Sequence, residues 1–279
     1  MENSDFEKNG LKIEGNRVLT YSKLSCPLDC TYCFVEGMTQ EQEKYVEYLS
    51  QEQLRLIENL PENVRLIMLG CDTEFFQNIK NALDILNRLK DLRRDISVVT
   101  KLPLSREYIE DISKIFMQMR SNGNIFSLSI SLPCLFSESV KKYEPTVPLP
   151  ERRVSTLKTV HEYGIPAMVA IRPLLPDVSE EELLDIVKLT KDYVVGYYSG
   201  PLYLKKETVK FLLPDFVSDK EEKQPNWMLD GNTFQIIEKE GQMERLISIV
   251  EKSGRRFFIG AADGMDYIRN LEKYEKPRN

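Results

Sequence analysis

The chain has 279 residues, 42% of them hydrophobic and 29% charged, with a net charge of −6. That length suits one large α/β domain or two small ones, and the acidic balance disfavours nucleic acid as a partner, because phosphate contacts call for Lys and Arg. No apolar run approaches a membrane span and residues 1–15 carry no apolar signal-peptide core, so the expectation is a cytoplasmic protein with no membrane partner.

In chain order, a short strand is expected at 17–22, just ahead of a cysteine-rich loop. Helical periodicity follows at 40–60, where Val46, Leu49, Leu54 and Leu56 recur among polar residues. Residues 64–69 read as a buried strand, 76–93 as a helix and 96–100 as a strand. A helix is expected at 105–120 with Ser105 as its N-cap. A strand follows at 125–132, then a helix at 150–163 closed by Gly164. Residues 165–171 read as a strand. Residues 179–191 read as a helix whose Ser179 and Glu182 stand at capping-box spacing, and 193–198 as a sixth strand. Beyond Gly200 the pattern weakens. Residues 205–232 are charged and irregular and hold the single tryptophan, Trp227. A helix is expected at 233–253 and a strand at 256–259.

Alternating strands and helices imply a parallel sheet with crossover helices. The fold expected is α/β: a partial (β/α)6 TIM-like barrel over 1–200, with a C-terminal α/β extension over 201–279 packing on or capping it. A doubly wound open sheet is the alternative. In either, the loops leaving the C-terminal ends of the strands build the site.

There are five cysteines and one histidine, His161. An odd cysteine count without an export signal disfavours a disulfide framework, and one histidine leaves little room for a His-rich metal site or a Ser-His-Asp triad. Cys26, Cys30 and Cys33 form a C-x3-C-x2-C loop directly after the first expected strand. Thiolates so spaced can wrap an iron–sulfur cluster, and three of them leave one iron of a cubane open to a small chelating molecule. A zinc site or plain structural cysteines are the alternatives, although structural zinc wants four ligands. Cys134 reads as a packing residue and His161 as a surface or core residue.

The C-x3-C-x2-C loop, with aromatic Tyr32 before its last cysteine, resembles the signature of the radical S-adenosylmethionine (SAM) superfamily. Glu74 after the second strand, Thr100-Lys101 after the third and Ser127, Ser129 and Ser131 on the fourth add to the likeness. Glu144-Pro145-x-x-Pro148 with downstream Arg153, and Arg172-Pro173 at the end of the fifth strand, complete it. Together they resemble the spore photoproduct lyase and DNA-repair-photolyase-like branch, over about residues 21–200.

The resemblance implies a [4Fe–4S] cluster on Cys26, Cys30 and Cys33 with SAM on the fourth iron. It implies reductive cleavage of SAM to methionine and a 5′-deoxyadenosyl radical that abstracts hydrogen from a substrate. Tyr32, Glu74, Lys101, Ser129 and Arg172 would bind SAM: Glu74 its amino group, Lys101 its carboxylate, Arg172 its carboxylate or ribose. Cys71 stands where such lyases carry a cysteine that returns a hydrogen atom to the product radical. An external electron donor of flavodoxin or ferredoxin type is implied. Two positions depart from that branch: Glu74 replaces its usual Asp, and Phe34 replaces a tyrosine. The substrate expected is therefore a small molecule or peptide, with damaged DNA as the alternative. A non-enzymatic zinc or iron–sulfur module is a further alternative. The 205–232 segment, with Trp227, is expected to close the barrel mouth.

Overall fold

A computed structural model of the chain describes residues 3–22, 26–35, 47–216, 222–228 and 231–275. A short helix α1 (Asn3–Lys8) leads into an antiparallel pair, β1 (Leu11–Glu14) and β2 (Arg17–Thr20). Five further strands run parallel to β2: β3 (Leu66–Leu69), β4 (Asp95–Thr100), β5 (Phe126–Ser131), β6 (Ala167–Ile171) and β7 (Gly196–Ser199). The helices between them are α2 (Gln51–Glu58), α3 (Ile79–Leu89), α4 (Arg106–Ser121), α5 (Ser137–Tyr143), α6 (Pro150–Glu162) and α7 (Glu180–Thr190). A small hairpin of β8 (Leu202–Leu204) and β9 (Gln235–Ile237), with α8 (Lys206–Leu212) between them, leads to α9 (Gln242–Lys252). Then β10 (Arg256–Phe258) pairs parallel to β7, and α10 (Ala261–Glu275) ends the described chain.

The order of the large sheet is β1-β2-β3-β4-β5-β6-β7-β10. Strands β2 to β7 lie side by side in chain order. That is the single winding of a partial barrel, not the strand-order reversal of a doubly wound sheet. Right-handed crossovers of one sense put the helices on one face. Strand β10 belongs to the same sheet, so the chain beyond residue 200 continues the barrel as well as decorating it.

Alternation sorts each strand between two faces. Ile67, Leu69, Ile96, Val98, Leu128, Ile130, Val169 and Ile171 point to the helices and form one core with Leu86, Ile112, Phe116, Leu157 and Ile186. Leu66, Ile125, Met168, Ala170, Tyr198 and Phe258 point inward and pack on Ala261, Met265 and Ile268 of α10. Helix α10 therefore fills the inner face near the N-terminal ends of the strands. Gly264 permits the close approach, since a Cβ there would lie 2.2 Å from Met168 Sδ. Arg269 pairs with Asp95 at the start of β4. Higher up, the inner face becomes polar, with Ser127, Ser129 and Ser131 all buried.

Several expectations shift. The expected 40–60 helix is realised as α2, and its 40–46 part lies outside the described residues. The 76–93 helix opens with a separate 3-10 turn, Phe75–Gln77, before α3. Ser105 and Ser179 do cap α4 and α7 through their side chains. Glu182 does not complete a capping box: its carboxylate accepts from the N–H groups of Leu135 and Phe136 and from Ser139 Oγ. The 233–253 helix is two elements, β9 and α9, parted by Gly241 at φ +71. A left-handed residue there cannot continue a helix, and glycine adopts that backbone without a Cβ penalty.

Candidate active site

The cysteine loop follows β2 onto the C-terminal edge of the sheet. Cys26, Cys30 and Cys33 form no disulfide and are half-buried. A turn closed by Cys33 N–H to Cys30 O at 3.0 Å brings two of them round. Burial pushes the Cys30 thiol up to about 12; the Lys101 ammonium opposes that, while Glu144 and the other two thiols add to it.

One segment holds this loop along its length. Thr31 N–H donates to Tyr143 O at 3.1 Å, and Thr31 Oγ1 donates to Lys142 O at 2.9 Å. Thr146 Oγ1 donates to Leu28 O. The Tyr32 hydroxyl donates to Glu144 Oε1 at 2.5 Å. Lys101 Nζ donates to the same oxygen at 2.6 Å, to Ser131 Oγ at 2.7 Å and to Tyr32 Oη at 2.8 Å. An ammonium has three N–H donors, and all three are engaged. Arg153 supplies the base of the network: Nη2 donates to Glu144 Oε2 at 2.6 Å and Nη1 to Ser131 O at 2.9 Å. Glu144 and Arg153 are both fully buried.

Burial alone would raise the Glu144 carboxyl, but Lys101 and Arg153 hold it down at about 2, against an ordinary 4.5. A carboxyl depressed in the fold contributes stability above its unfolded value and loses it as the pH falls. Acid unfolding followed by circular dichroism is therefore expected to show a stability loss between pH 4.5 and about 2 that a Glu144→Gln variant lacks. An identical acid profile in the variant would contradict the assignment.

Strand β3 runs into Gly70 at φ +84, where a Cβ would lie 2.5 Å from Val99 O. The Tyr48 hydroxyl accepts Gly70 N–H at 2.5 Å and lies 3.1 Å from Thr20 Oγ1, pinning this turn to β2. Cys71 follows, half-exposed, its thiol directed at Met68 O at 3.4 Å. Burial pushes this thiol up to about 12, so it is a neutral S–H at working pH. Asp72 beside it accepts from Ser22 Oγ at 3.2 Å.

Glu74 is buried and turned toward β4. Its Oε1 accepts from Thr100 Oγ1 at 2.6 Å and from Phe76 N–H at 3.1 Å, and its Oε2 from Lys101 N–H at 2.9 Å. Burial raises its carboxyl, against these three bonds. Ser129 lies on the inner face. Its hydroxyl, like those of Thr73 and Ser127, is buried without a well-formed hydrogen bond among the described residues, though the Tyr198 hydroxyl is beside it. Arg172 is exposed at the mouth, its guanidinium under Gly200, where a Cβ would come within 3.1 Å of Nε.

Trp227 packs beside the cysteine loop. Its carbonyl accepts from Tyr21 Oη at 2.7 Å, and Lys12 Nζ donates to the carbonyls of Asn226 and Met228. Its ring stands edge-on to Phe34 at 4.9 Å and to Tyr203 at 5.4 Å. A cavity of about 250 Å³ opens beside it, lined by Cys33, Phe34, Tyr203, Lys205 and Phe234 among others.

The structure thus gathers Cys26, Cys30, Cys33, Tyr32 and Lys101 at one end of the strands, with Cys71, Ser129 and Arg172 on the same edge. It gives Tyr32 and Lys101 internal partners in place of a free reach into the mouth. Glu144 with Arg153, Tyr48 and Asp72 are the structurally prominent residues that sequence reasoning left without a role. Only the Glu-Pro-x-x-Pro motif marked any of them.

A family model described as the radical SAM superfamily matches residues 24–190. The chain belongs to the radical SAM superfamily. An uncharacterized protein of Methanocaldococcus jannaschii is 27% identical over 207 residues, 71% of this chain and 74% of the relative. Spore photoproduct lyase complexed with dinucleoside spore photoproduct superposes with a TM-score of 0.56 at 11% identity, over 84% of this chain and 74% of the lyase. SuiB of Streptococcus suis, solved with its precursor peptide, gives 0.53 at 16% identity over 70% of this chain. This radical SAM chain matches 41% of SuiB's length. At such identities the structural likeness speaks for the fold. The barrel expected from the strand–helix alternation is the fold found.

Radical SAM proteins bind a [4Fe–4S] cluster and SAM, and SuiB has also been solved with SAM bound. The residues present here fit that pair. Three half-buried thiols outside any disulfide, on one short loop, are a thiolate donor set that would leave one iron of a cubane open. Among the described residues no group of three or more Cys, His, Asp or Glu side chains is gathered closely enough to hold a metal ion, the three cysteines of this loop included. Structural zinc would want four ligands, and this loop carries three thiols. No helix among the described residues is long and apolar enough to cross a membrane.

Proposed function

We propose that the protein is a radical SAM enzyme acting on a small molecule or peptide at the mouth of the barrel, with electrons from an external flavodoxin- or ferredoxin-type donor. Cys26, Cys30 and Cys33 would hold the cluster, which when bound and reduced would supply the electron that splits SAM into methionine and a hydrogen-abstracting 5′-deoxyadenosyl radical. The observation that carries this reading is the place of the Cys26, Cys30 and Cys33 loop, which leaves β2 at the C-terminal edge of a parallel sheet, where barrel enzymes build their sites.

The chain's own groups divide the remaining work. Arg172, exposed at the mouth, is placed to hold a carboxylate or ribose. Ser129 offers a buried hydroxyl on the inner face. Glu74 has three of its acceptor positions in use and about one lone pair left for an ammonium. Lys101 reaches a ligand only by giving up one of its present bonds. Phe34, Trp227 and Tyr203 shield the cysteine side of the mouth from water, which protects a radical from side reactions.

Cys71 carries a second reading, repair chemistry of the spore photoproduct lyase kind. Its thiol is neutral, partly buried and on the same edge as the cysteine loop, which suits a hydrogen-atom donor. With dinucleoside spore photoproduct as the probe in deuterated water, the wild type is expected to place one deuterium in the repaired product. Cys71→Ala is expected to lose that product. Equal turnover and labelling in the variant would remove Cys71 from the chemistry. No turnover by the wild type would leave the small-molecule or peptide reading in place. The test of the enzyme class itself is release of 5′-deoxyadenosine from SAM, independent of any substrate.

A further inference from the structure

The Glu144–Arg153 pair is an odd investment for stability alone. Both side chains are wholly buried, and Arg153 Nε has no hydrogen-bond partner among the described residues. Removing two charges from water costs several kcal/mol each, and apolar replacements for such pairs are often no less stable. What a buried pair does provide is one fixed geometry. Here the geometry is fixed directly under the cysteine loop.

Glu144 Oε2 is held from below by Arg153, and Oε1 faces up to Tyr32 Oη and Lys101 Nζ. Tyr32 stands between Cys30 and Cys33, so its hydroxyl fixes the backbone that carries both thiols. The neighbouring residues repeat the link. Thr31 bonds to the Lys142 and Tyr143 carbonyls, Thr146 bonds to Leu28 O, and the rings of Tyr32 and Tyr143 lie 6.2 Å apart. Lys101 and Ser131 bring in the ends of β4 and β5. Three groups from separate parts of the chain, Tyr32, Lys101 and Arg153, thus meet on one carboxylate.

We propose that Glu144 is the positioning residue of the cysteine loop: anchored by Arg153, its carboxylate clamps Tyr32 and so sets the spacing and presentation of the Cys30 and Cys33 thiols. The inference rests on the reading of these cysteines as cluster ligands, but the clamp itself is a property of the chain without the cluster. Glu144 touches no reacting atom; it acts through Tyr32.

Glu144→Gln is the direct variant, yet it leaves Arg153 buried beside a neutral partner and risks the fold. Tyr32→Phe is the clean one. It removes a single hydroxyl and keeps the ion pair and every charge. The test is the rate of iodoacetamide alkylation at each cysteine of the reduced full-length chain, kept anaerobic and free of iron, read by mass spectrometry. Losing a hydrogen bond to a charged acceptor is expected to speed loop opening and labelling at Cys30 and Cys33 roughly tenfold or more. Cys71, on another strand end, is expected to label at the wild-type rate, and the melting temperature to change by only a few degrees. Reconstituted Tyr32→Phe is further expected to give an altered electron paramagnetic resonance spectrum of the reduced cluster. Wild-type labelling rates at Cys30 and Cys33 would overturn the proposal, as would equal acceleration at Cys71. A wild type that takes up no iron would defeat the cofactor reading and leave the alkylation result to decide the clamp.

Discussion

Glu144→Leu is expected to destabilise the protein by about 3–5 kcal/mol, the cost of leaving a buried charge without its partner. The reason lies in which charge is left behind. Arg153 is fully buried and bonds Glu144 Oε2 at 2.6 Å. A guanidinium cannot shed its proton inside a protein, so without Glu144 it stays charged in an apolar site. The reverse variant, Arg153→Met, is expected to cost less, about 1–3 kcal/mol, because Lys101 still neutralises Glu144 at 2.6 Å and a carboxyl can take up a proton. The double variant is expected to recover part of the Glu144→Leu loss, since it removes both charges. Urea unfolding of the three variants checks the order. Equal losses in the two single variants, or a double variant equal to their sum, would show that the pair is not coupled as the geometry requires.

Cys30→Ala is expected to abolish cluster uptake. Two remaining thiolates, Cys26 and Cys33, span the loop with a gap where the middle ligand stood. Iron–sulfur clusters depend on their thiolates, so iron after anaerobic reconstitution is expected to fall from about four per chain to well below one. Cys134→Ala serves as the control. That thiol is fully buried in the main core and is pushed up by burial, so it packs as a small apolar group. Its replacement is expected to leave iron content unchanged while costing some stability. Retained iron in Cys30→Ala, or lost iron in Cys134→Ala, would reassign the ligands.

Where local chemistry decided the structure, the sequence was readable. Strands β3 and β6 are apolar throughout, as a parallel strand covered on both faces has to be, and β5 alternates apolar residues with serines, which marks its polar inner face. Ser105 and Ser179 cap helices because a side-chain oxygen at that place takes a free N–H, a bond made within three residues. The cysteine spacing and Tyr32 led to the superfamily for the same reason: one loop carries the signal.

Tertiary competition erased the rest. Glu182 has capping-box spacing, yet the Leu135 and Phe136 N–H groups, distant in sequence, claim its carboxylate. The 233–253 stretch has enough apolar residues for one helix, but Gly241 and the pairing of β9 with β8 divide it. Helix α10 was not expected at all, because its inward residues Ala261, Met265 and Ile268 meet a surface that exists only once the sheet has curved. Lys101 and Tyr32 were read as ligand contacts from their places at strand and loop ends. Their bonds to Glu144 join residues 43 and 112 positions apart, which no local pattern records.

The central claim is that the three-cysteine loop at the C-terminal edge of the sheet makes this chain a SAM-cleaving enzyme. The most direct measurement is 5′-deoxyadenosine, quantified by chromatography after anaerobically reconstituted full-length protein is given dithionite and SAM, with Cys30→Ala run in parallel. The account expects the wild type to form 5′-deoxyadenosine and the variant to form none. A wild type that carries about four irons per chain, as a cubane requires, and binds SAM, yet forms no more 5′-deoxyadenosine than Cys30→Ala, would contradict it.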